Sequence, residues 1–334
     1  MKKWITNVLN DPKRIAIPIL THPGIEMIGK TVLDAVTDGN VHADAIKTLS
    51  KRFPSSASTV IMDLTVEAEA FGCAINFYKD EAPAVSHRLV SCFEEVEQLP
   101  VPSLSAGRIP QYLLANQLVV AAITDKPVLG GCIGPYSLAG RLFDMTEIMI
   151  AIYTEPDTVN LLLEKCTKFL IDYCTALKAT GINGIIIAEP AAGLLSDDDC
   201  RQFSSLYVKQ IVETLQDDTF SVILHNCGNT GQCTQAMLYV GAHGYHFGNV
   251  INMVDVLEIC PPEVLVMGNL DPVGIFRMST AEQMKQAVKN LLEQTAGYKN
   301  FVLSSGCDVP PYTPLENVEV FYETLAEFNQ NNIK

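Results

Sequence analysis

Positively charged residues are few in this sequence. Its 334 residues include 23 Lys and Arg against 38 Asp and Glu, which gives a formal net charge of −15. An electrostatic field of that sign repels phosphate backbones and anionic lipid headgroups. We therefore expect neither nucleic acid nor a membrane as a partner.

The sequence also lacks a long apolar run. The stretch LLANQLVVAAIT is interrupted by Asn116 and Gln117, whereas a membrane-spanning helix needs about 20 apolar residues. The apolar stretch near the start is short and is broken by Thr6 and Asn7, unlike the core of a secretory signal. Because no secretory signal is evident, the ten cysteines do not indicate a disulfide framework. We expect a reduced, cytoplasmic protein.

Short runs rich in Val, Ile and Leu recur along the chain, each followed by Gly, Pro or a polar residue. They cover residues 14–20, 59–64, 126–134, 184–190, 220–228, 244–249, 263–272 and 300–308. Such runs are typical of strands buried on both faces. Helical patterns lie between them, so the sequence predicts an α/β fold, a (β/α)8 TIM barrel. We expect one domain over residues 1–334, with an elaborated N-terminal half, because the interval 64–126 exceeds one barrel helix and could form a lid.

The clearest helical pattern lies in residues 154–181. Its apolar residues recur at steps of three and four and share one face: Val159, Leu162, Leu163, Cys166, Phe169, Leu170, Tyr173 and Leu177. Thr154 with Asp157 predicts a capping box at its start, and Gly181 predicts its end. Ser279 with Glu282 predicts the start of another helix in the same way.

Chemically capable residues follow the predicted strands, where barrel enzymes place their active sites. They are Thr21, His22, Asp63, Cys132, Glu189, His225, Cys227, His246, Asn269, Asp271, Cys307 and Asp308. This concentration favours an enzyme. We expect at least one of Asp63, Glu189 and Asp308 to hydrogen-bond to a metal ligand or to approach the open metal position, with Glu189 the first choice. Asp63 and Glu189 are also candidates for binding substrate. His246 is a candidate for the same two roles.

The stretch LHNCGNTGQC gives the strongest indication of a metal site. On an extended strand end, His225 and Cys227 point to the same side. Cys307 follows the last predicted strand at the same barrel mouth, and three ligands with one open position are typical of catalytic zinc. Alternatively, His225 satisfies a backbone hydrogen bond and the cysteines pack as small apolar residues. Cys233 is the local rival as a ligand, and we expect core packing for the cysteines at 73, 92, 166, 174, 200 and 260.

The order of HNCGNT, GNLDP and LSSGCDVPPYTPLENV resembles the methylcobamide:coenzyme M methyltransferases, a branch of the uroporphyrinogen decarboxylase superfamily. The stretches THPGIEMIGKTVLDAVTDGNVHADAI and IMDLTVEAEAFGC resemble the same branch, so the resemblance covers nearly the full chain. It implies a uroporphyrinogen decarboxylase-like barrel. It also implies a zinc ion (Zn²⁺) bound by His225, Cys227 and Cys307, which would then be the catalytic residues.

The resemblance further implies transfer of a methyl group from a methylated corrinoid, such as methylcobalamin, to a zinc-activated small thiol, such as coenzyme M. The corrinoid-binding pattern Asp-x-His-x-x-Gly is absent from the sequence, so the implied donor is a separate corrinoid protein. Arg141, or backbone amides near residues 130–134, are candidates for binding the sulfonate of coenzyme M.

Two alternative functions remain. Decarboxylases of this superfamily hold a tetrapyrrole's carboxylates with an arginine-rich stretch after the first strand. Here that stretch reads ILTHPGIEMIGK, which contains Glu26 and no arginine. The other alternative is a non-catalytic corrinoid-binding barrel, for which we would expect a missing zinc ligand, yet all three are present.

Overall fold

The computed structural model describes residues 1–332, and its main feature is a parallel sheet. The strands in chain order are β1 (Ser58–Thr59), β2 (Ile75–Asn76), β3 (Ala84–Val85), β4 (Val128–Ile133), β5 (Gly184–Ala188), β6 (Ser221–Asn226), β7 (Gly244–Phe247), β8 (Leu265–Leu270) and β9 (Phe301–Ser305). Strands β1 and β4 to β9 form one seven-stranded sheet in that order, in which every neighbouring pair is parallel. β2 and β3 form a separate antiparallel hairpin.

An extended segment, residues 15–17, fills the eighth position between the two edges of the sheet. On one side, the Ile17 N–H donates to the Leu303 carbonyl at 3.0 Å, and the Leu303 N–H donates to the Ile15 carbonyl at 3.1 Å. On the other side, the Ser56 N–H donates to the Ala16 carbonyl at 3.0 Å. This segment, which we call the closing segment, joins β9 to the chain just before β1. The α/β barrel class predicted from the sequence is confirmed.

Two of the predicted strands are shorter than their apolar runs. The run 14–20 makes a single isolated bridge, because Pro18 has no N–H and the Ile19 N–H donates instead to the Ser305 hydroxyl at 3.1 Å. The run 59–64 overlaps β1 only at its first residue. There the Ile61 N–H donates to Nε2 of His42 at 3.0 Å and so leaves the strand ladder. Side chains have replaced backbone partners at both places.

Helices connect the strands and pack against the sheet. They are α1 (Lys2–Asn10), α2 (His22–Met27), α3 (Val32–Thr37), α4 (Gly39–Arg52), α5 (Val66–Phe71), α6 (Phe93–Gln98), α7 (Ile109–Ala122), α8 (Pro135–Phe143), α9 (Met145–Thr154), α10 (Pro156–Ala179), α11 (Asp197–Cys200), α12 (Leu206–Leu215), α13 (Thr234–Leu238), α14 (Met253–Ile259), α15 (Ala281–Gln294) and α16 (Leu315–Asn332). A 3₁₀ turn spans Pro190–Leu194, and π-helical turns span Arg201–Ser205 and Pro272–Arg277. None of the helices described over residues 1–332 is both long and apolar enough to cross a bilayer.

Every residue predicted for the buried face of α10 is buried. The predicted helix starts were less accurate. Thr154 is the last residue of α9, and its hydroxyl donates to the Ile150 carbonyl at 3.2 Å, so the predicted capping box with Asp157 was wrong. The second box lies one residue later than predicted, at Thr280 with Gln283. Gly181 has φ +97°, as the predicted helix end requires.

The barrel interior is apolar at its N-terminal end. Residues of the strands and of the segments before them form a buried cluster there: Ile17, Ile19, Ala57, Leu129, Ile186, Ile223, Leu265, Met267 and Val302. Helix α1 packs on this cluster through Ile5, with Trp4, Val8 and Leu9 partly buried around it. Apolar side chains thus fill the barrel interior at this end.

The interval 64–126 contains α5, the β2–β3 hairpin, α6 and α7. Ala82 and Pro83 of the hairpin turn line the pocket described below. The elaborated N-terminal half therefore supplies part of the pocket wall.

Candidate metal centre

Three side chains meet at the C-terminal ends of β6 and β9. His225 lies on β6, Cys227 follows that strand directly, and Cys307 lies two residues beyond β9. Sγ of Cys307 is 3.6 Å from Nε2 of His225. The ligand atoms of all three residues lie within 4.8 Å of one another. The structure therefore brings together the three residues proposed as metal ligands.

Glycines allow the backbone around these ligands to pack closely. A Cβ atom at Gly248 would lie 2.6 Å from the carbonyl oxygen and 2.7 Å from Cα of Cys227. A Cβ atom at Gly306, next to Cys307, would lie 2.6 Å from the backbone nitrogen of Asn249. The loop after β7 thus supports both candidate cysteine ligands through close backbone contact.

Replacing Gly248 with alanine is expected to displace Cys227 and weaken zinc binding. Because the added methyl group would meet backbone rather than a flexible side chain, the loop itself must shift. We expect a loss in zinc affinity of about 10- to 100-fold, as for other changes to the support of a metal ligand. Competition with a chromophoric chelator measures it. Gly297→Ala is the matched control, since no atom lies within 4 Å of its added Cβ; equal affinities in the two variants would contradict the prediction.

His246 lies behind His225 and is completely buried. Its Nδ1 is 2.8 Å from Nδ1 of His225, and its Nε2 is 2.8 Å from Oγ of Ser304. Burial lowers the pKa of His246 well below its usual value, so the ring is neutral. His246 does not line the pocket, so the structure places it against a proposed ligand and outside the pocket wall. Ser304 was missed from the sequence, although two serines inside the apolar run FVLSSG were a signal.

The two candidate ligand thiols differ from most of the other cysteines. Cys227 and Cys307 are only partly buried, whereas Cys73, Cys132, Cys166, Cys174, Cys200, Cys233 and Cys260 are buried. Their mutual hydrogen bond lowers the pKa of Cys227 and raises that of Cys307. Cys233, the rival ligand, points its thiol at the carbonyls of Ala192 and Leu195, at 3.4 and 3.2 Å. It is outside the cluster.

A pocket of about 240 Å³ opens over the three ligands. Its walls come from the chain just after the closing segment, from the turn of the β2–β3 hairpin and from the loops that follow the strands of the sheet. The lining residues are His22, Met62, Asp63, Leu64, Thr65, Ala82, Pro83, Arg141, Ala188, Pro190, His225, Cys227, Cys307 and Asp308. The volume is that of a small molecule.

Asp63 lines the pocket, but a buried ion-pair network holds its carboxylate. Arg108 pairs with Asp63 and donates to Glu69 at 2.6 Å and to the Thr65 hydroxyl at 2.8 Å. The second oxygen of Asp63 accepts hydrogen bonds from the N–H and hydroxyl of Thr65 at 2.9 and 2.7 Å. Both oxygens of Asp63 are thus occupied by protein partners.

Asp308 is also committed to neighbouring side chains. Its oxygens accept from the Thr21 hydroxyl at 2.9 and 2.8 Å, and one lies 3.2 Å from Nδ1 of His22. Burial lowers the pKa of His22, but the charge and hydrogen bond of Asp308 outweigh it, so the pKa of His22 is raised overall. Hydrogen bonds thus hold Asp308 against Thr21 and His22 at the pocket wall.

Arg141 is the pocket's uncompensated cation. Within residues 1–332, no hydrogen bond or ion pair to its guanidinium is observed. Burial lowers the pKa of Arg141, while the charges of Asp63 and Glu67 raise it. The backbone amides proposed as the alternative anion site are in use, since Ile133 donates to Glu67 and Gly134 to the Ala188 carbonyl. Arg141 is therefore the group on this wall best placed to bind an anion.

Two buried glutamates lie behind the pocket wall. Glu189 accepts from the Ser137 N–H and the Ser204 hydroxyl, each at 3.1 Å, and burial raises its pKa to about 7. Glu67 accepts from the Ile133 N–H at 3.1 Å while its other oxygen has no partner, and burial raises its pKa to about 7 as well. Neither residue lines the pocket.

Glu67→Gln is expected to gain stability relative to the wild type as pH rises. The folded state raises the pKa of Glu67 from 4.5 to about 7, so the stability that its proton provides is complete below pH 4.5 and is lost by about pH 7. The glutamine variant has no such loss. The difference in unfolding free energy should shift towards the variant by about 3 kcal/mol between pH 4 and 8. Urea unfolding at both pH values measures this shift, with surface Glu97→Gln as the control; a pH-independent difference would contradict it.

Residues 13–328 match the family model of uroporphyrinogen decarboxylase (URO-D). The chain belongs to the uroporphyrinogen decarboxylase family. It is 30% identical over 297 residues to the methylcobamide:CoM methyltransferase MtbA of Methanosarcina acetivorans, covering 86% of each chain. It is 25% identical over 292 residues to the uroporphyrinogen decarboxylase of Vibrio vulnificus strain YJ016, covering 84% of this chain and 81% of the relative.

A solved structure of a methyltransferase from Methanosarcina mazei matches this family member with a TM-score of 0.87 and 25% identity, over 98% of both chains. The curated methyltransferase of the same organism is 29% identical over 301 residues, 86% of each chain. These similarities confirm the branch predicted from the sequence and identify the chain as an enzyme of the methyltransferase type.

Proposed function

We propose that this enzyme transfers a methyl group from a methylated corrinoid, such as methylcobalamin on a separate corrinoid protein, to a zinc-bound small thiol, such as coenzyme M. The observation that carries the proposal is the convergence of His225, Cys227 and Cys307 within 4.8 Å at the pocket. Relatives named as methylcobamide:CoM methyltransferases support it.

The three residues fit zinc chemically. Two thiols and one imidazole nitrogen are ligands that zinc prefers, and three protein ligands leave one position for a substrate. When bound there, zinc would turn the substrate thiol into a thiolate nucleophile, because a thiol that coordinates zinc loses its proton at neutral pH. Lysine is absent from the pocket lining, so no ammonium competes for the ligand thiolates.

The pocket also fits a small anionic thiol. Met62, Leu64 and Pro190 provide apolar surface for a short carbon chain. Arg141 lines the same pocket and can donate charged hydrogen bonds to a sulfonate. An acceptor with its sulfur at the metal ligands and its acid at Arg141 would be held at both ends, and the apolar wall would exclude water around the sulfur.

Exposed apolar side chains around the barrel mouth support a separate methyl donor protein. A corrinoid macrocycle is far larger than the pocket, so it must approach from outside. Large apolar side chains with at least partial solvent access occur on the hairpin and on loops after the strands: Phe77, Tyr78, Leu194, Val250, Val273, Met278 and Tyr312. An apolar rim of this kind suits a partner that covers the mouth.

The decarboxylase alternative is less well supported by the pocket. A tetrapyrrole with many carboxylates needs several cations, yet the lining residues include one arginine and no lysine. The non-catalytic alternative is disfavoured because all three proposed ligands are present and adjacent.

The proposal is tested by measuring two reactions on one preparation, with and without a chelator. We expect demethylation of free methylcobalamin that requires a thiol and zinc. The rate should be slow, because the free cofactor lacks the positioning its carrier protein would give. Decarboxylation of uroporphyrinogen that is insensitive to the chelator, with no methyl transfer to any thiol tested, would overturn the proposal.

A further inference from the structure

We propose that His246 and Ser304 are positioning residues that fix the tautomer of His225, so that Nε2 of His225 offers a lone pair to a metal ion. The inference deepens the proposed function and rests on the zinc site assigned there. It adds a chain of hydrogen bonds that begins at a main-chain carbonyl in the closing segment and ends at the metal ligands.

The chain of hydrogen bonds begins at Ser304. Its hydroxyl donates to the Ile17 carbonyl at 2.8 Å. A carbonyl oxygen can only accept, and a serine hydroxyl carries one hydrogen. That hydrogen is therefore used, and Oγ of Ser304 can act only as an acceptor towards its other neighbour.

That neighbour is Nε2 of His246, at 2.8 Å. Because Ser304 must accept, the ring hydrogen of His246 lies on Nε2. A neutral imidazole with its hydrogen on Nε2 has a lone pair on Nδ1. Nδ1 of His246 therefore accepts from Nδ1 of His225, also at 2.8 Å.

With its hydrogen on Nδ1, neutral His225 has its lone pair on Nε2. This is the nitrogen that lies 3.6 Å from Sγ of Cys307 and faces the pocket. The opposite tautomer would place a hydrogen where the metal binds. It would also leave Nδ1 lone pairs of the two histidines facing each other.

Burial makes this arrangement strict. His246, Ser304 and Ile17 are each 0% exposed, and His225 is 2% exposed. Water is thus not available to replace a missing donor or acceptor, and an unpaired polar group in such surroundings is costly. The Ile17 carbonyl, which can only accept, thereby fixes the direction of the hydrogen bonds through Ser304 and His246 to His225.

The first test uses the metal-free wild-type protein. Nitrogen-15 NMR of the histidine rings at neutral pH should show the hydrogen of His225 on Nδ1 and that of His246 on Nε2. A hydrogen on Nε2 of metal-free His225 would overturn the inference. This test needs no variant, so it does not depend on how substitutions affect folding.

The second test measures zinc affinity in Ser304→Ala. Loss of the hydroxyl frees the tautomer of His246 and leaves Nδ1 of His225 with the longer contact to the main-chain carbonyl of His246 at 3.3 Å, so we expect zinc affinity to fall about 10- to 100-fold. Cobalt(II) in place of zinc should show an altered absorption spectrum. His246→Leu should have the same effect, and His246→Gln, which keeps an acceptor and a donor, should retain more affinity than His246→Leu.

The chain offers a matched control at the other end of β6. The Ser221 hydroxyl lies 3.0 Å from Nδ1 of His243 and is likewise buried, far from the ligands along the strand. Ser221→Ala should leave zinc affinity and the cobalt spectrum unchanged. Equal affinity in Ser304→Ala and the wild type would overturn the positioning role alone, whereas absence of zinc binding by the wild type would refute the proposed site itself.

Discussion

Cys307→Ala is expected to lose zinc while the protein stays folded. Cys307 lies beyond β9 and is only partly buried, so its side chain contributes little to the core. Structural zinc sites with four ligands bind with roughly 10 to 16 kcal/mol, so loss of one ligand should cost roughly 3 kcal/mol, or more than about 100-fold in affinity. Zinc content after dialysis measures the loss of metal. Thermal unfolding, followed by circular dichroism, measures whether the protein stays folded.

Cys233→Ala is the control for that experiment. Cys233 lies in the same stretch of sequence as Cys227, but its thiol points at backbone carbonyls outside the cluster. This variant should keep its zinc and its thiol-dependent methyl transfer. Full zinc retention in Cys307→Ala would show that the ligand set is wrong.

Arg141→Met is expected to weaken binding of an anionic thiol selectively. A hydrogen bond to a charged group contributes about 1.5 to 3 kcal/mol, so KM for coenzyme M should rise about 10- to 100-fold. KM for 2-mercaptoethanol, which has a hydroxyl in place of the sulfonate, should change little. Zinc content should be unchanged, because within residues 1–332 no hydrogen bond or ion pair joins Arg141 to the three proposed ligands.

Steady-state rates with both thiols show whether Arg141 binds the acid group or only shapes the pocket. A similar rise in KM for both thiols would indicate that Arg141 shapes the pocket without binding the acid. Unchanged KM values for both would place the acid elsewhere, with His22 as the other basic side chain on the wall outside the proposed ligands.

The sequence predicted the strands that have ordinary backbone partners. Runs 126–134, 184–190, 220–228, 244–249, 263–272 and 300–308 each contain one strand of the sheet. The first two runs were overestimated, because His42 and the Ser305 hydroxyl take N–H groups that a ladder would otherwise use. Such side-chain competition depends on tertiary contacts, and hydrophobic periodicity does not encode it.

The spacing of His225 and Cys227 on a strand end was enough to group them, and the topology of a barrel brought Cys307 to the same mouth. The hydrogen-bond and ion-pair partners of the neighbouring polar residues were not predictable in this way. Asp63 was expected to meet substrate, but Arg108, from 45 residues later, holds one of its oxygens. His246 faces a ligand because β6 and β7 pair in register at His225 and His246.

The closing segment has a consequence for when the enzyme matures. Residues 15–17 leave the ribosome early, yet their partner Leu303 is among the last residues to be synthesised. Cys307 follows His225 by 82 residues. A nascent chain that has reached only β8 therefore presents two of the three proposed zinc ligands on an open sheet. With the proposed ligand set, metal capture would follow the arrival of β9, so a shortage of zinc would act on finished chains, and premature termination before β9 would yield protein that lacks the third proposed ligand.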